Sequence, residues 1–251
     1  MKIRNHVWGG NKKVYKNYIF DLYGTLVDIH TDEEDKNLWS KLALFYSFNN
    51  ALYSDKEIRN KYVEFVNDEK AKITDTDYKD FPLEYVFKRL YTIKGIEPGD
   101  EVIKATAHFF RITSTKYVKL YDGVISLLDL LKKKNKKIYL LSNAQRIFTI
   151  YEMRILGIEK YFDDIFISSD HYVCKPDIKF YKELITNHNL NVKESIMIGN
   201  DLISDIKGAQ KCGMDALYIK SNLSPEIEEN IKPEFEILDG DVNKISSMII
   251  I

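Results

Sequence analysis

Five short apolar runs, each closing on a polar or glycine-bearing turn, constrain this chain more than any other feature. They are Tyr18-Ile19-Phe20, Ile138-Tyr139-Leu140-Leu141, Ile165-Phe166-Ile167, Ile196-Met197-Ile198 and Ala216-Leu217-Tyr218-Ile219. Three or four apolar residues in a row, with no polar alternation, suit strands buried on both faces, as in a parallel sheet. Helical patterns fall between them: Val124 to Lys133, Arg146 to Leu156 before Gly157, Lys179 to His188, and Ile203 to Cys212 before Gly213. Strand and helix alternate from about residue 118 onward. That alternation predicts a doubly wound α/β sheet with its ligand site beyond the carboxyl ends of the strands.

The stretch from about 31 to 115 differs, with at least four helical patterns and no clear strand. The first carries Leu38, Trp39, Leu42 and Phe45. The second opens with Ser54 and Glu57 as a capping box ahead of Ile58, Tyr62, Phe65 and Val66. Two more follow, around 82 to 92 and 101 to 113, and the whole reads as a helical insertion. Helical spacing accounts for the aromatic stripes as core.

With 251 residues, 45% of them apolar, the chain can build one large domain or a core plus an insertion. Lys+Arg 37 against Asp+Glu 38 leaves a formal charge of -1, so no global basic field steers it onto nucleic acid or acidic lipid. The one biased run, Lys132 to Lys137, fits a solvated helix end. Cys174 and Cys212 form no CxxC pair and no disulfide framework, which makes a reducing, cytoplasmic setting the default. The basic first sixteen residues lack a signal peptide's apolar segment, and no run of about 18 apolar residues occurs, so no membrane partner is expected. The terminal Met248 to Ile251 is expected to close the last element against the core, and Trp8 to sit over a sheet edge or a partner. Monomer and homodimer stay equally open.

Four segments carry chemistry. Asp21-Leu22-Tyr23-Gly24-Thr25-Leu26 follows the first strand and sets a carboxylate at its carboxyl end, the place for a nucleophile or metal ligand. Leu140-Leu141-Ser142-Asn143 ends another strand in a hydroxyl able to donate to a phosphoryl oxygen, or to cap the next helix. Cys174-Lys175-Pro176-Asp177 holds a lysine just before a helical first turn. Gly199-Asn200-Asp201-Leu202-Ile203-Ser204-Asp205 follows a fourth strand with two carboxylates four apart, a pair suited to a hard cation such as Mg²⁺.

In this order and on these strands, the four segments resemble the haloacid dehalogenase-like (HAD) hydrolase superfamily over essentially the whole chain. The resemblance implies a Rossmann-like core, residues 1–30 and 116–251, with a helical (C1-type) cap inserted over 31–115. It implies Asp21 as the nucleophile of an aspartyl intermediate, and Ser142, Asn143 and Lys175 as phosphate-binding groups, with Lys175 balancing charge. It implies Mg²⁺ held by Asp21, the carbonyl of Tyr23 and Asp201, with Asp205 behind it; Asn200 is the alternative to Asp201. The implied substrate is a small phosphorylated metabolite.

The family's phosphatases carry a second Asp two residues after the nucleophile as general acid and base, and this chain has Tyr23 there. A phenol with a pKa of about 10 donates a hydrogen bond but is a poor base at neutral pH. Tyr at this position also resembles the family's 2-haloacid dehalogenases, which need no metal and use an early cap arginine. The first arginine after the nucleophile is Arg59, which reads as part of a solvated helix face. The acidic Asp201 and Asp205 favour phosphatase over dehalogenase. A non-catalytic protein that binds a phosphorylated ligand is a third reading. Asp28, Asp170 and His171 are expected in solvated or turn roles.

Overall fold

The computed structural model describes residues 13–250, which leaves the Trp8 expectation and Ile251 outside the described residues. Six strands form one parallel sheet in the order β5-β4-β1-β6-β7-β8. They are β1 (Asn17–Phe20), β4 (Lys137–Ser142), β5 (Asp164–Ile167), β6 (Ser195–Gly199), β7 (Asp215–Ile219) and β8 (Phe235–Ile237). All five expected strands are present, and the short β8 at the edge is an addition. Successive residues of a strand face opposite sides, and each side feeds its own core. Tyr18, Phe20, Leu140, Ile196 and Ile198 pack under α5 (Val124–Lys133) and α10 (Asn243–Ile249). Ile19, Tyr139, Leu141 and Met197 pack under α8 (Ile178–Asn187) with Phe180, Tyr181 and Leu184. Of the expected apolar terminus, Ile249 is buried and its carbonyl accepts from the Tyr18 hydroxyl at 2.8 Å, while Met248 is exposed.

The chain leaves β1, builds β4 and β5 on one side, then returns to build β6, β7 and β8 on the other. The crevice between the two halves lies at the carboxyl ends of β1, β4 and β6, the usual ligand position in open α/β sheets.

Four helices, α1 (Lys36–Phe48), α2 (Asp55–Lys72), α3 (Glu84–Thr92) and α4 (Asp100–Ser114), form a unit with a core of its own. Leu42, Tyr46, Phe87, Leu90 and Phe110 are fully buried there, and Ile147 and Phe148 of α6 (Arg146–Ile155) join them from the sheet side. Ser54 caps α2 by accepting from the Glu57 N–H. The stretch read as strandless is entered and left through a two-stranded antiparallel ribbon, β2 (Val27–Thr31) and β3 (Thr115–Leu120). Val27-Asp28-Ile29-His30-Thr31 alternates apolar and polar residues, the pattern of a strand exposed on one face, so it carries no continuous apolar run. Between α2 and α3, residues 73–83 lie on the core: Lys79 bridges Val173, and the Cys174 N–H donates to the Tyr78 carbonyl at 2.9 Å.

The helix expected over 203–212 departs from the α form. A π-helical turn, Leu202–Lys207, runs into the short α9 (Gly208–Lys211). The buried Tyr181 hydroxyl lies 2.6 Å from the Ser204 carbonyl and 3.1 Å from that of Asp205, a partner for backbone groups that an α-helix would satisfy internally. In the basic run, Lys132 and Lys137 pair with Asp163 and Lys136 donates to the Tyr15 carbonyl. Among the described residues, no helix is long and apolar enough to cross a membrane.

Candidate active site

Asp21 follows β1 and is anchored by its own N–H on the Ile198 carbonyl of β6, 2.9 Å away. Lys175 reaches it from the loop before α8. Its side chain is 1% exposed, and the ammonium donates to Asp21 Oδ1 at 2.8 Å and to Asp205 Oδ1 at 2.7 Å. Burial pushes the Lys175 pKa down, but Asp205 and Asp21 outweigh it and hold the ammonium above the ordinary lysine range. Asp205 is pushed up to about 7, first by burial, against the pull of Lys175. With both carboxyls ionised, the cluster of one buried cation and two carboxylates carries one excess negative charge, a balance a cationic ligand would complete.

Ser142, at the end of β4, places its hydroxyl 3.5 Å from Asp21 Oδ1, and Thr25 Oγ1 lies 3.4 Å from Oδ2. Asn143 is committed to the lysine loop: its amide donates to the Lys175 carbonyl at 2.9 Å and its Oδ1 accepts from the Lys175 N–H at 2.8 Å. Its side chain therefore positions Lys175, while the residue still lines the cleft. Gly24 has φ +87, and a Cβ there would fall 2.2 Å from Asn200 Nδ2, so the turn beside the nucleophile is built for glycine.

A cavity of about 170 Å³ is lined by Asp21, Tyr23, Lys175, Asn200 and Asp201. Asp201 caps the π-helical turn through Oδ1, which accepts from the N–H groups of Ile203 and Ser204. Among the described residues Oδ2 of Asp201 and the Tyr23 carbonyl accept no hydrogen bond. Asp205 is different, because Lys175 takes one oxygen and the Asp201 N–H takes the other at 3.0 Å. Of the residues read as metal ligands, Asp205 thus has both oxygens engaged, whereas Asp21, Asp201 and the Tyr23 carbonyl are the hard oxygen groups that could hold a dication such as Mg²⁺. Asn200 lines the same cavity with its Oδ1 facing Thr25 Oγ1 at 3.4 Å.

The Tyr23 side chain turns away from Asp21. Its hydroxyl donates to Glu152 Oε2, with Thr149 Oγ1 at 3.1 Å. Arg111 of α4 completes the cluster by a forked pair to Glu152, 2.6 and 3.2 Å. Burial, then the Glu152 carboxylate, push the Tyr23 hydroxyl well above the ordinary tyrosine range. Sequence reasoning missed Arg111 and Glu152, which no motif or spacing connects to Tyr23. The arginine it did weigh, Arg59, pairs with Glu34 at the surface. Asp28 is held by Tyr117, Asn222 and Lys119, Asp170 by Arg146, and His171 by Glu183, all in structural roles. A second cavity, about 490 Å³, adjoins at Tyr23 and Asn143 and is walled by Tyr62, Phe81, Arg111 and Phe148.

The model of the haloacid dehalogenase-like hydrolases matches residues 15–213, most of the chain. The chain belongs to that family. Among HAD-like relatives, glyceraldehyde 3-phosphate phosphatase of Methanopyrus kandleri is 26% identical over 147 residues, 57% of this chain and 63% of that one. The chain thus spans less than two thirds of that relative. Pyrimidine 5'-nucleotidase PynA of Streptococcus pneumoniae is 24% identical over 228 residues, 89% and 91% of the two chains. The HAD-hydrolase YfnB of Bacillus subtilis, solved bound to magnesium, has a TM-score of 0.55 at 20% identity, covering 95% of this chain and 100% of that one. That last likeness is one of fold.

Proposed function

We propose that this HAD-like hydrolase is a Mg²⁺-dependent phosphatase of a small phosphorylated metabolite, working through an aspartyl-phosphate at Asp21. The observation that carries this reading is the charge balance around Asp21: a buried lysine faces two carboxyl groups, and Asp201, with one oxygen that accepts no hydrogen bond among the described residues, lines the same cavity. Two phosphatases among the relatives support it. In this reading Asp21 attacks phosphorus, Lys175 holds the nucleophile and offsets phosphoryl charge, and Ser142 donates to a phosphoryl oxygen. Asn143 keeps Lys175 in place. Mg²⁺, held by Asp21, the Tyr23 carbonyl and Asp201, would neutralise the remaining charge on the transferring group. Phosphoryl transfer is accelerated chiefly by holding the reacting groups in line and by neutralising their charge.

The helical unit, 31–115, would serve as the cap over the core, 1–30 and 116–251, and the adjoining cavity would receive the leaving group. Cys174 and Cys212 are both free thiols, in keeping with a cytoplasmic protein. The test is turnover of acetyl phosphate and p-nitrophenyl phosphate with Mg²⁺ or EDTA, beside Asp21→Asn. Metal-dependent turnover lost in the variant is the expected result. Metal-independent halide release from 2-haloacids, with no phosphate released, would replace this reading with the dehalogenase one, and metal-dependent ligand binding without turnover would replace it with a binding protein.

A further inference from the structure

The groups around Asp21 differ in what they can do with a proton. Lys175 is locked between two carboxylates, and both oxygens of Asp205 are accepting hydrogen bonds. Ser142, Thr25 and Asn200 are neutral donors that do not ionise near pH 7. Tyr23, two residues from the nucleophile, has one hydroxyl proton, and it is engaged in a hydrogen bond donated to Glu152, away from Asp21. Arg111 makes a forked pair to the same Glu152 carboxylate and so fixes it in place as the acceptor of the tyrosine hydroxyl. In the wall of the larger cavity, Asp80 accepts from Ser168, Gln145 and the Phe81 N–H.

Resting on the phosphatase reading, we infer that the substrates are phosphates whose leaving group departs without being protonated: acyl phosphates or phosphoanhydrides, rather than esters of ordinary alcohols. The step balances without an acid. Asp21 forms a bond to phosphorus, the bond from phosphorus to the bridging oxygen breaks, and the electron pair leaves with a carboxylate or phosphate. Water then attacks phosphorus, the bond to Asp21 breaks and the carboxylate is restored. An acyl phosphate dianion and one water thus give a carboxylate and dihydrogen phosphate, the water's second proton passing to a phosphate oxygen.

Proton donation to a leaving group is worth about 10²- to 10⁴-fold where an enzyme supplies it, and weak leaving groups need it most. Ring-substituted phenyl phosphates vary leaving-group pKa at nearly constant shape. Across such a series the protein should show a steep fall in kcat/KM as that pKa rises, and acetyl phosphate should exceed ethyl phosphate by at least about 100-fold. Tyr23→Phe keeps the ring and removes the hydroxyl, so its slope should match that of the parent whatever its absolute rate. Glu33, like Asp80, is a carboxyl in the wall of the larger cavity, and Glu33→Gln should also leave the slope alone.

A flat dependence in the parent protein overturns the inference, as does a slope that steepens in either variant, which would identify the acid. Both outcomes leave the phosphatase reading standing. Failure to release phosphate from any compound, acetyl phosphate included, overturns both.

Discussion

At the residue scale the site depends on one buried ammonium. Lys175→Met would leave Asp21 and Asp205 facing each other without their cation, and removing one partner of a buried ionic group costs about 3–5 kcal/mol. Urea unfolding in EDTA should show that loss as a lower midpoint, with phosphatase turnover gone. Gly24→Ala sets a Cβ against Asn200 in a left-handed backbone and should destabilise by more than about 1 kcal/mol, read by the same titration. Asp21, Ser142, Lys175 and Asp201 were legible in the sequence because each follows an apolar run or precedes a helix, so its place at the crevice follows from the topology. Glu152 and Arg111 were not. They meet Tyr23 only in three dimensions, 129 residues from Tyr23 to Glu152 and 41 from Arg111 to Glu152.

At the scale of elements, the sequence announced the buried strands and the amphipathic helices, since those patterns are periodic. It was silent on the π-helical turn, which leaves no periodic signature and meets the Tyr181 hydroxyl of α8 only in the fold. Tyr181→Phe removes this partner from the carbonyls of Ser204 and Asp205 and should cost about 1–3 kcal/mol, measurable as a lower thermal midpoint. It should also lower turnover, because the turn begins at the Asp201 cap. Asp163 ties α5 to the start of β4. Burial pushes its carboxyl up, yet bonds from Lys137, the Ile138 N–H and Lys132 win and hold it at about 2. A carboxyl held below its unfolded value, about 3.9, contributes stability above that pH and loses it as pH falls toward 2. Thermal midpoints of the parent and Asp163→Asn should therefore differ above pH 4 and converge near pH 2.

For the whole molecule, the helical unit and the sheet are joined by Arg111 on Glu152, by Ile147 and Phe148 in the unit's core, and by the segment 73–83. Arg111→Lys keeps the charge but gives up the fork, so it should recover only part of the stability that Arg111→Ala loses. Calorimetry of the two variants compares them directly; equal stability of Arg111→Lys and the parent would show that charge alone suffices. None of these joints was readable from the sequence, where the insertion showed only its own helical periodicity. The joint at Tyr78 differs from the others in where it pulls. The Cys174 N–H that binds it belongs to the residue just before Lys175. The helices and the lysine are thus coupled in series, like a latch and its bolt: anything that lifted that edge of the helical unit would also pull on the chain that holds the ammonium.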